Sequence, residues 1–160
     1  MRSLLLLAAV ALSSLAVTQS LSLKPGTAQH VTIVNGVDGM VRPGGRVLLW
    51  VKVTPNPGKR VYAAGARDFQ PVTLVPTPHA AVTFSKPAYS RSELDGNSGS
   101  PTPVPVYKNE FRIAIPIVIS ATATHNDALT IGAAINYQAC DDRLCYPAAS
   151  IPVLWKLPLL

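Results

Sequence analysis

Short apolar runs that end at turns containing proline or glycine are the feature that most constrains the fold of this chain. The run RVLLWVKV at residues 46–53, for example, is closed by the turn PNPG at residues 55–58. No stretch carries apolar residues convincingly at the period of an amphipathic helix. Most of the fifteen prolines lie at the ends of runs, where a missing backbone donor does little harm to a strand. The sequence therefore predicts an all-β protein.

The number of these runs predicts an immunoglobulin-like antiparallel β-sandwich, because about seven short strands in a chain of this length are typical of that architecture. An antibody-type domain is excluded, since its two cysteines lie far apart in sequence and bridge the sheets. Pro116 lies inside one run and predicts an edge strand or a bulge, because proline cannot donate to a neighbouring strand. The predicted strands cover residues 29–34, 46–53, 72–75, 80–84, 110–119, 128–139 and 150–157.

The N-terminus has the layout of a secretory signal peptide. Arg2 supplies a positive charge, and a largely apolar run at residues 4–17 is followed by small and polar residues that suit cleavage. The run is shorter than the roughly 18 residues that suggest a membrane span. We expect a signal peptide at residues 1–20 and one β-sandwich domain at residues 21–160. The mature protein is expected in the periplasm or secreted, without stable membrane insertion.

One segment within the predicted domain is expected to be a long irregular loop. Residues 86–105 read KPAYSRSELDGNSGSPTPVP and have little strand character. Loops of this length in compact domains are usually functional lids or disordered segments. The Gly/Ser/Pro-rich centre favours disorder, and a lid over a site is the alternative.

Charge and motifs exclude several functional classes. The net charge is +6, but the basic residues are scattered and do not alternate with aromatic residues, so nucleic-acid binding is not expected. No phosphate-binding loop or nucleophile elbow is found. The three histidines lie far apart in sequence, and no closely spaced ligand set predicts a metal site. We therefore expect neither a metal nor a cofactor.

The two cysteines, Cys140 and Cys145, are the strongest candidates for function. They lie in YQACDDRLCYP at residues 137–147, a hairpin-like connection between two predicted strands. In an exported protein such a pair favours a disulfide over a metal site. Closing a ring of about six residues stabilises a fold by only about 2 kcal/mol. This small value favours an exchangeable disulfide, with a purely structural bridge as the alternative.

The residues around the pair suggest how it would react. Asp141 and Asp142 disfavour a thiolate at Cys140, and Arg143 partly offsets them. The pair is therefore expected to be attacked as a disulfide or to relay electrons, through a mixed disulfide with a partner thiol. Tyr137 and Tyr146 flank the pair and are candidates for a docking surface, or are ordinary strand aromatics.

YQAC and CYP, with the long loop upstream, resemble the N-terminal exported domain of DsbD, the thiol:disulfide interchange protein. PGKRVY at residues 57–62 and VY at residues 106–107 agree with this resemblance, which covers roughly residues 47–157. It implies an immunoglobulin-like fold whose cysteines accept electrons from a thioredoxin-like domain and pass them to exported oxidoreductases. Carried over by position, Cys140 and Cys145 are the redox pair, and Tyr62 is a neighbour in the site.

The chain departs from this family in three respects. Four residues separate the cysteines, one fewer than in the best-known members. The chain ends at Leu160 without the membrane and thioredoxin-like domains, so the expected partner is a separate thioredoxin-like redox protein or membrane thiol transporter. In well-known members an aromatic residue in a cap loop shields the disulfide. The corresponding residues 93–97 have acids but no aromatic, and Tyr89 or Tyr107 is the candidate substitute.

The sequence thus predicts an exported thiol–disulfide interchange domain, which as an enzyme would be a protein-disulfide reductase or an interchange component. The alternative is a non-catalytic immunoglobulin-like binding module with a structural disulfide.

Overall fold

The structure, a computed structural model, describes residues 30–96, 100–124 and 128–160. The predicted signal peptide and His125 lie outside these residues. The described residues form strands without any helix, and hence without a helix long and apolar enough to cross a membrane. The strands are β1 (Val31–Asp38), β2 (Arg46–Pro55), β3 (Arg60–Tyr62), β4 (Thr73–Pro76), β5 (Val82–Phe84), β6 (Ala88–Tyr89), β7 (Glu93–Asp95), β8 (Val104–Tyr107), β9 (Phe111–Ile119), β10 (Leu129–Tyr137), β11 (Ala139–Cys140) and β12 (Ala149–Leu157).

The large sheet has the order β1-β2-β9-β5, and β6 also pairs with β9. All of its pairings are antiparallel. Every second residue of β2 and β9 is buried, as expected for strands with one face on a core. The register places inward residues opposite each other, as in Leu49 with Ile115 and Val51 with Ile113. The strict alternation therefore determines which face of this sheet lies inside.

A second, facing sheet has the order β12-β10-β4 and shares the same core. Its inward residues alternate in the same way, and Ile131 pairs with Trp155 across the β10–β12 ladder. Two hydrogen bonds tie the sheets at one side, from Asn35 to the Leu154 carbonyl and from the Trp155 indole to the Gly36 carbonyl. The two sheets form the predicted immunoglobulin-like antiparallel sandwich, which confirms the fold class.

Pro116 lies in β9, which is an interior strand and not an edge strand, the first of the two positions that the sequence predicted for it. The Pro116 carbonyl accepts a hydrogen bond from Ser85 N at 2.9 Å, so the proline nitrogen faces the same side of the strand. On that side β5 ends at Phe84 and β6 begins at Ala88. The missing donor therefore falls in the gap between two short strands and costs no ladder hydrogen bond.

A small third sheet of order β11-β3-β8-β7 carries the cysteine region. The segment at residues 86–105, expected to be irregular, contains β6, β7 and the start of β8, and residues 97–99 lie outside the described part. The chain leaves the facing sheet after Tyr137 and enters the small sheet at Ala139. It returns at Ala149, directly opposite Tyr137. This excursion from the β10–β12 hairpin holds both cysteines.

We expect Gly36→Ala to destabilise the fold by about 1–3 kcal/mol, the usual cost of overpacking. A Cβ at Gly36 would overlap the indole ring of Trp50, its partner on β2. Urea unfolding should show the loss as a lower midpoint. Gly96→Ala is the matched control, because nothing lies within 4 Å of a Cβ at that position. Equal midpoints for the two variants would contradict this account.

Candidate functional site

Cys140 and Cys145 form a disulfide with an S–S distance of 2.07 Å and a Cα–Cα distance of 4.0 Å. The two residues also face each other as an antiparallel bridge. Their environments differ: Cys140 is 0% exposed and packs in a small apolar cluster, whereas Cys145 is exposed. A partner thiol approaching from solvent therefore meets Cys145, and Cys140 lies behind it.

The Asp141 side chain builds the turn between the cysteines. Its Oδ1 accepts hydrogen bonds from the backbone N–H groups of Arg143 at 2.8 Å and Leu144 at 2.9 Å. The Asp141 N–H donates in turn to the Leu144 carbonyl at 3.0 Å. Aspartate commonly closes turns in this way, by accepting from the backbone just after itself. The loop therefore has hydrogen bonds of its own that do not depend on the disulfide.

A second group of contacts fixes the other oxygen of Asp141. Lys59 Nζ lies 2.6 Å from Asp141 Oδ2, and the Tyr146 hydroxyl donates to the same oxygen at 2.7 Å. Lys59 also hydrogen-bonds the Tyr146 hydroxyl, and the His30 ring stacks on Tyr146 with centroids 3.7 Å apart. The hydrogen bonds that Asp141 accepts from Lys59 and Tyr146 hold the pKa of Asp141 well below its usual range. The hydrogen bond that Lys59 donates to Asp141 raises the pKa of Lys59.

Arg60 links the cysteine loop to β7 from a buried position. Its Nε lies 3.3 Å from Asp95 Oδ2, and the two side chains are 7% and 2% exposed. Its two terminal nitrogens donate to Asp142 Oδ1 and to the Asp141 carbonyl, each at 2.8 Å. Lys108 Nζ contacts the other Asp95 oxygen at 3.1 Å. The planar guanidinium suits this role, because it presents donors in several fixed directions.

Tyr62 lies against the exposed end of the disulfide. Its hydroxyl is 3.5 Å from Cys145 Sγ, and its ring stacks on Phe69 with centroids 3.9 Å apart. Burial raises the pKa of Tyr62, and a hydrogen bond with Arg60 partly opposes this rise. The hydroxyl therefore stays protonated near neutral pH and is able to donate to a sulfur atom.

Gln138 lies between β10 and β11, where the chain passes from the facing sheet to the small sheet that carries the cysteines. Its side-chain nitrogen donates to the Tyr146 carbonyl at 3.1 Å, and its side-chain oxygen accepts from Gln70 N at 3.1 Å. Its backbone carbonyl accepts from Tyr62 N at 3.4 Å. These bonds join the residues on both sides of the cysteines to the segments that carry Tyr62 and Gln70.

The structure brings together most of the residues that the sequence singled out. Tyr62, Asp141 and Tyr146 lie at the disulfide, with the contacts given above. Tyr137 does not: it is 1% exposed, packs in the main core, and offers no surface to a partner. Burial also raises the pKa of its hydroxyl. It belongs with the ordinary strand aromatics, which was the second interpretation of its position.

The two tyrosines considered as shields make other contacts. Tyr107 donates to the Ser90 carbonyl at 2.7 Å and stacks on Phe111, while the Tyr89 hydroxyl accepts from Leu74 N at 3.0 Å. The aromatic ring that packs beside the site is instead Phe69, through its stack on Tyr62.

Both carboxylates that follow Cys140 in the sequence form ion pairs, which the sequence did not predict. Asp141 pairs with Lys59, and Asp142 pairs with Arg60. The expected penalty on a Cys140 thiolate is therefore largely offset by two cations that sequence reasoning did not assign to the site. Lys59 and Arg60 come directly before Tyr62 in PGKRVY at residues 57–62. The family resemblance included this stretch, but it assigned only Tyr62 to the site.

No group of three or more His, Cys, Asp or Glu residues suited to a metal ion occurs in the described part of the chain.

Comparisons with known proteins place the fold. No protein-family model and no curated protein match the chain. Among solved structures, the N-terminal periplasmic domain of ScsB from Proteus mirabilis aligns with a TM-score of 0.50 and 12% identity. The alignment covers 78% of this chain and 46% of that one, so this chain spans less than half of it. The reduced DsbD N-terminal domain of Neisseria meningitidis aligns with a TM-score of 0.49 and 17% identity, over 80% of this chain and 86% of that one.

At 12% identity, the likeness to the ScsB domain shows the fold alone.

We expect Asp141→Asn to lower the free energy of unfolding at neutral pH and to have little effect in acid. A folded-state pKa held below its usual value adds stability above the unfolded value of about 3.9, and that stability is lost as pH falls below it. Urea unfolding of the unmodified protein and of Asp141→Asn, from neutral pH to well below about 3.9, tests whether their free energies of unfolding converge in acid. Asp68→Asn, at an exposed carboxylate, is the control. A difference that stays constant with pH would contradict the ion-pair account.

Proposed function

We propose that this protein is an exported thiol–disulfide interchange domain that exchanges its Cys140–Cys145 disulfide with thioredoxin-like partners. The observation that carries the proposal is the unequal exposure of the pair, with Cys145 exposed and Cys140 buried. An exchangeable disulfide needs one sulfur that a partner thiolate reaches in line with the S–S bond. It also needs a leaving sulfur that stays in place to reform the bond.

The proposed exchange proceeds in two balanced steps. A partner thiolate attacks Cys145 Sγ, the S–S bond breaks, and Cys140 leaves as a thiolate while a mixed disulfide forms on Cys145. The partner's second thiolate then attacks the sulfur of the partner's first cysteine in that mixed disulfide. The partner forms its own disulfide, and Cys145 is released as a thiolate. The partner dithiol has lost two electrons and two protons and is now a disulfide, and both cysteines of this protein have become thiols. The reverse sequence passes the electrons to an oxidised acceptor.

The surrounding residues support this use of the pair. The Tyr62 hydroxyl lies 3.5 Å from Cys145 Sγ and is able to donate to the sulfur as negative charge develops there. The Asp141 turn keeps the loop shaped whether or not the S–S bond is present. Leu144, directly before Cys145, is 52% exposed and offers an apolar contact beside the reacting sulfur.

The compartment and partners follow from the same proposal. The ScsB neighbour is a periplasmic domain, and the N-terminal sequence here has the layout of an export signal. We place the mature protein in the periplasm or outside the cell. Its partner is a separate thioredoxin-like redox protein or a membrane thiol transporter.

The first prediction concerns partner capture. Reduced Cys140→Ser and Cys145→Ser variants are each mixed with a thioredoxin-like protein whose active-site cysteine is activated by thionitrobenzoate. Release of the coloured thiol and non-reducing gels report the mixed disulfide. We expect capture by Cys140→Ser, which keeps the exposed thiol, to be at least about tenfold faster than by Cys145→Ser. Equal rates, or faster capture by Cys145→Ser, would refute attack at Cys145.

The second prediction separates exchange from the structural alternative, a binding module whose disulfide only stiffens a loop. Equilibration in thiol buffers should give a reduction potential above about −300 mV, since structural disulfides usually lie below that value. Replacing both cysteines by alanine should cost about 2 kcal/mol or less in unfolding free energy, because the closed ring is small. A lower potential together with a larger stability loss would favour the binding module.

A further inference from the structure

We propose that Arg60 is a positioning residue for the exchange, which holds positive charge against Cys140 and so stabilises it as the leaving group. This inference rests on the proposed function and deepens it. It assigns to Arg60 a role in the chemistry through its charge at the buried sulfur.

The register of the small sheet places Arg60 beside Cys140. The two residues are direct partners in the antiparallel β3–β11 pair. Direct partners project their side chains to the same face, with Cβ atoms about 4.5–5.5 Å apart. The guanidinium then reaches over the cysteine loop and donates to the Asp141 carbonyl and to Asp142. The Arg60 and Cys140 side chains therefore lie on the same face of the small sheet, and the Arg60 charge is held at the cysteine loop, beside the sulfur that leaves.

Burial makes this charge effective. The Arg60 side chain is 7% exposed and Cys140 is 0% exposed, so water screens their interaction poorly. A nearby cation stabilises a thiolate over a thiol. A thiol that is more acidic is also a faster leaving group in disulfide exchange.

The other charges around Cys140 do not cancel this effect. Asp142 is 88% exposed, where water weakens its field, and Asp141 is already paired with Lys59. Asp95 on β7 is the one buried carboxylate in contact with Arg60 among the described residues, and Lys108 shares it. Asp95 therefore opposes Arg60 at Cys140, whereas both residues support each other in the fold.

This opposition gives the proposal a distinctive signature. If Arg60 and Asp95 only hold the fold, then removing either one disturbs the site in the same direction. If Arg60 acts through its charge on Cys140, neutralising Arg60 slows the departure of Cys140 and neutralising Asp95 speeds it.

The test measures reduction of the disulfide by a small dithiol, which needs no docking surface. The dithiol thiolate attacks Cys145, Cys140 leaves, and the dithiol ends as a cyclic disulfide while the protein gains two thiols. Freed thiols are alkylated at successive times and counted by mass. We expect Arg60→Gln to lower the second-order rate constant by about three- to tenfold and Asp95→Asn to raise it. Arg60→Lys, which keeps the charge, should retain most of the rate.

A titration provides the independent readout. In the Cys145→Ala background, the thiolate absorbance of Cys140 is followed against pH. Arg60→Gln should raise the pKa of the Cys140 thiol by about one pH unit, equivalent to a tenfold change in thiolate population, and Asp95→Asn should lower it. Arg112→Gln is the matched control. That arginine pairs with Asp38 on the large sheet, and its replacement should change neither the rate nor the titration.

Folding is controlled by the double variant Arg60→Gln/Asp95→Asn, which leaves no unmatched buried charge between these two residues. Its rate constant should fall below that of Asp95→Asn alone by the same three- to tenfold. Two results would overturn the role of Arg60. One is a change of the rate constant in the same direction for Arg60→Gln and Asp95→Asn. The other is a rate constant that Arg60→Gln leaves unchanged both in the unmodified protein and in the Asp95→Asn variant. Failure of the proposed function looks different: the opposite signs remain with the small dithiol, but thioredoxin-like proteins are not captured at Cys145.

Discussion

The buried contact between Arg60 and Asp95 is the interaction on which the functional end of this molecule depends. Each side chain is almost fully removed from water, and an ion in that position is tolerated only when it is matched. Arg60 meets this requirement through its ion pair with Asp95 and through hydrogen bonds to Asp142 and to the Asp141 carbonyl. One guanidinium thereby joins three pieces of chain: β3, β7 and the cysteine loop.

The two main sheets contribute a rigid base from which this end projects. Their core is built from alternating inward residues on β2, β9, β10 and β12, and the pairing of β10 with β12 runs up to Tyr137 and Ala149. The cysteines lie in the excursion between those two residues, where the chain crosses into the small sheet. Because both ends of the excursion are anchored in a ladder, the loop presents one sulfur to solvent and keeps the other inside.

A sandwich of this kind serves many unrelated functions, so the site and not the fold has to carry the functional argument. The ScsB neighbour at 12% identity shares the architecture. The functional argument rests on the side chains around the pair: the cations Lys59 and Arg60, the turn built by Asp141, and Phe69 stacked on Tyr62. Together they leave the disulfide accessible at Cys145, with positive charge behind it at Cys140. An accessible bridge in a small ring is suited to exchange more than to stabilising the fold.

Sequence alone determined seven strands of the two main sheets (β1, β2, β4, β5, β9, β10 and β12), because each of those runs is held by its own alternation or by clear turns at its ends. It missed β6 of the large sheet, which has only two residues. It also determined the pairing of the cysteines, since the chain has only two and they are close together. The small sheet was missed, because strands such as β3 and β11 have three and two residues, too few for any period to show. Only the tertiary structure decided that Arg60 lies opposite Cys140, that Phe69 stacks on Tyr62, and that Tyr137 is buried. These features are set by how the sheets pack and not by any local pattern, and Arg60 and Cys140 in particular lie far apart along the chain.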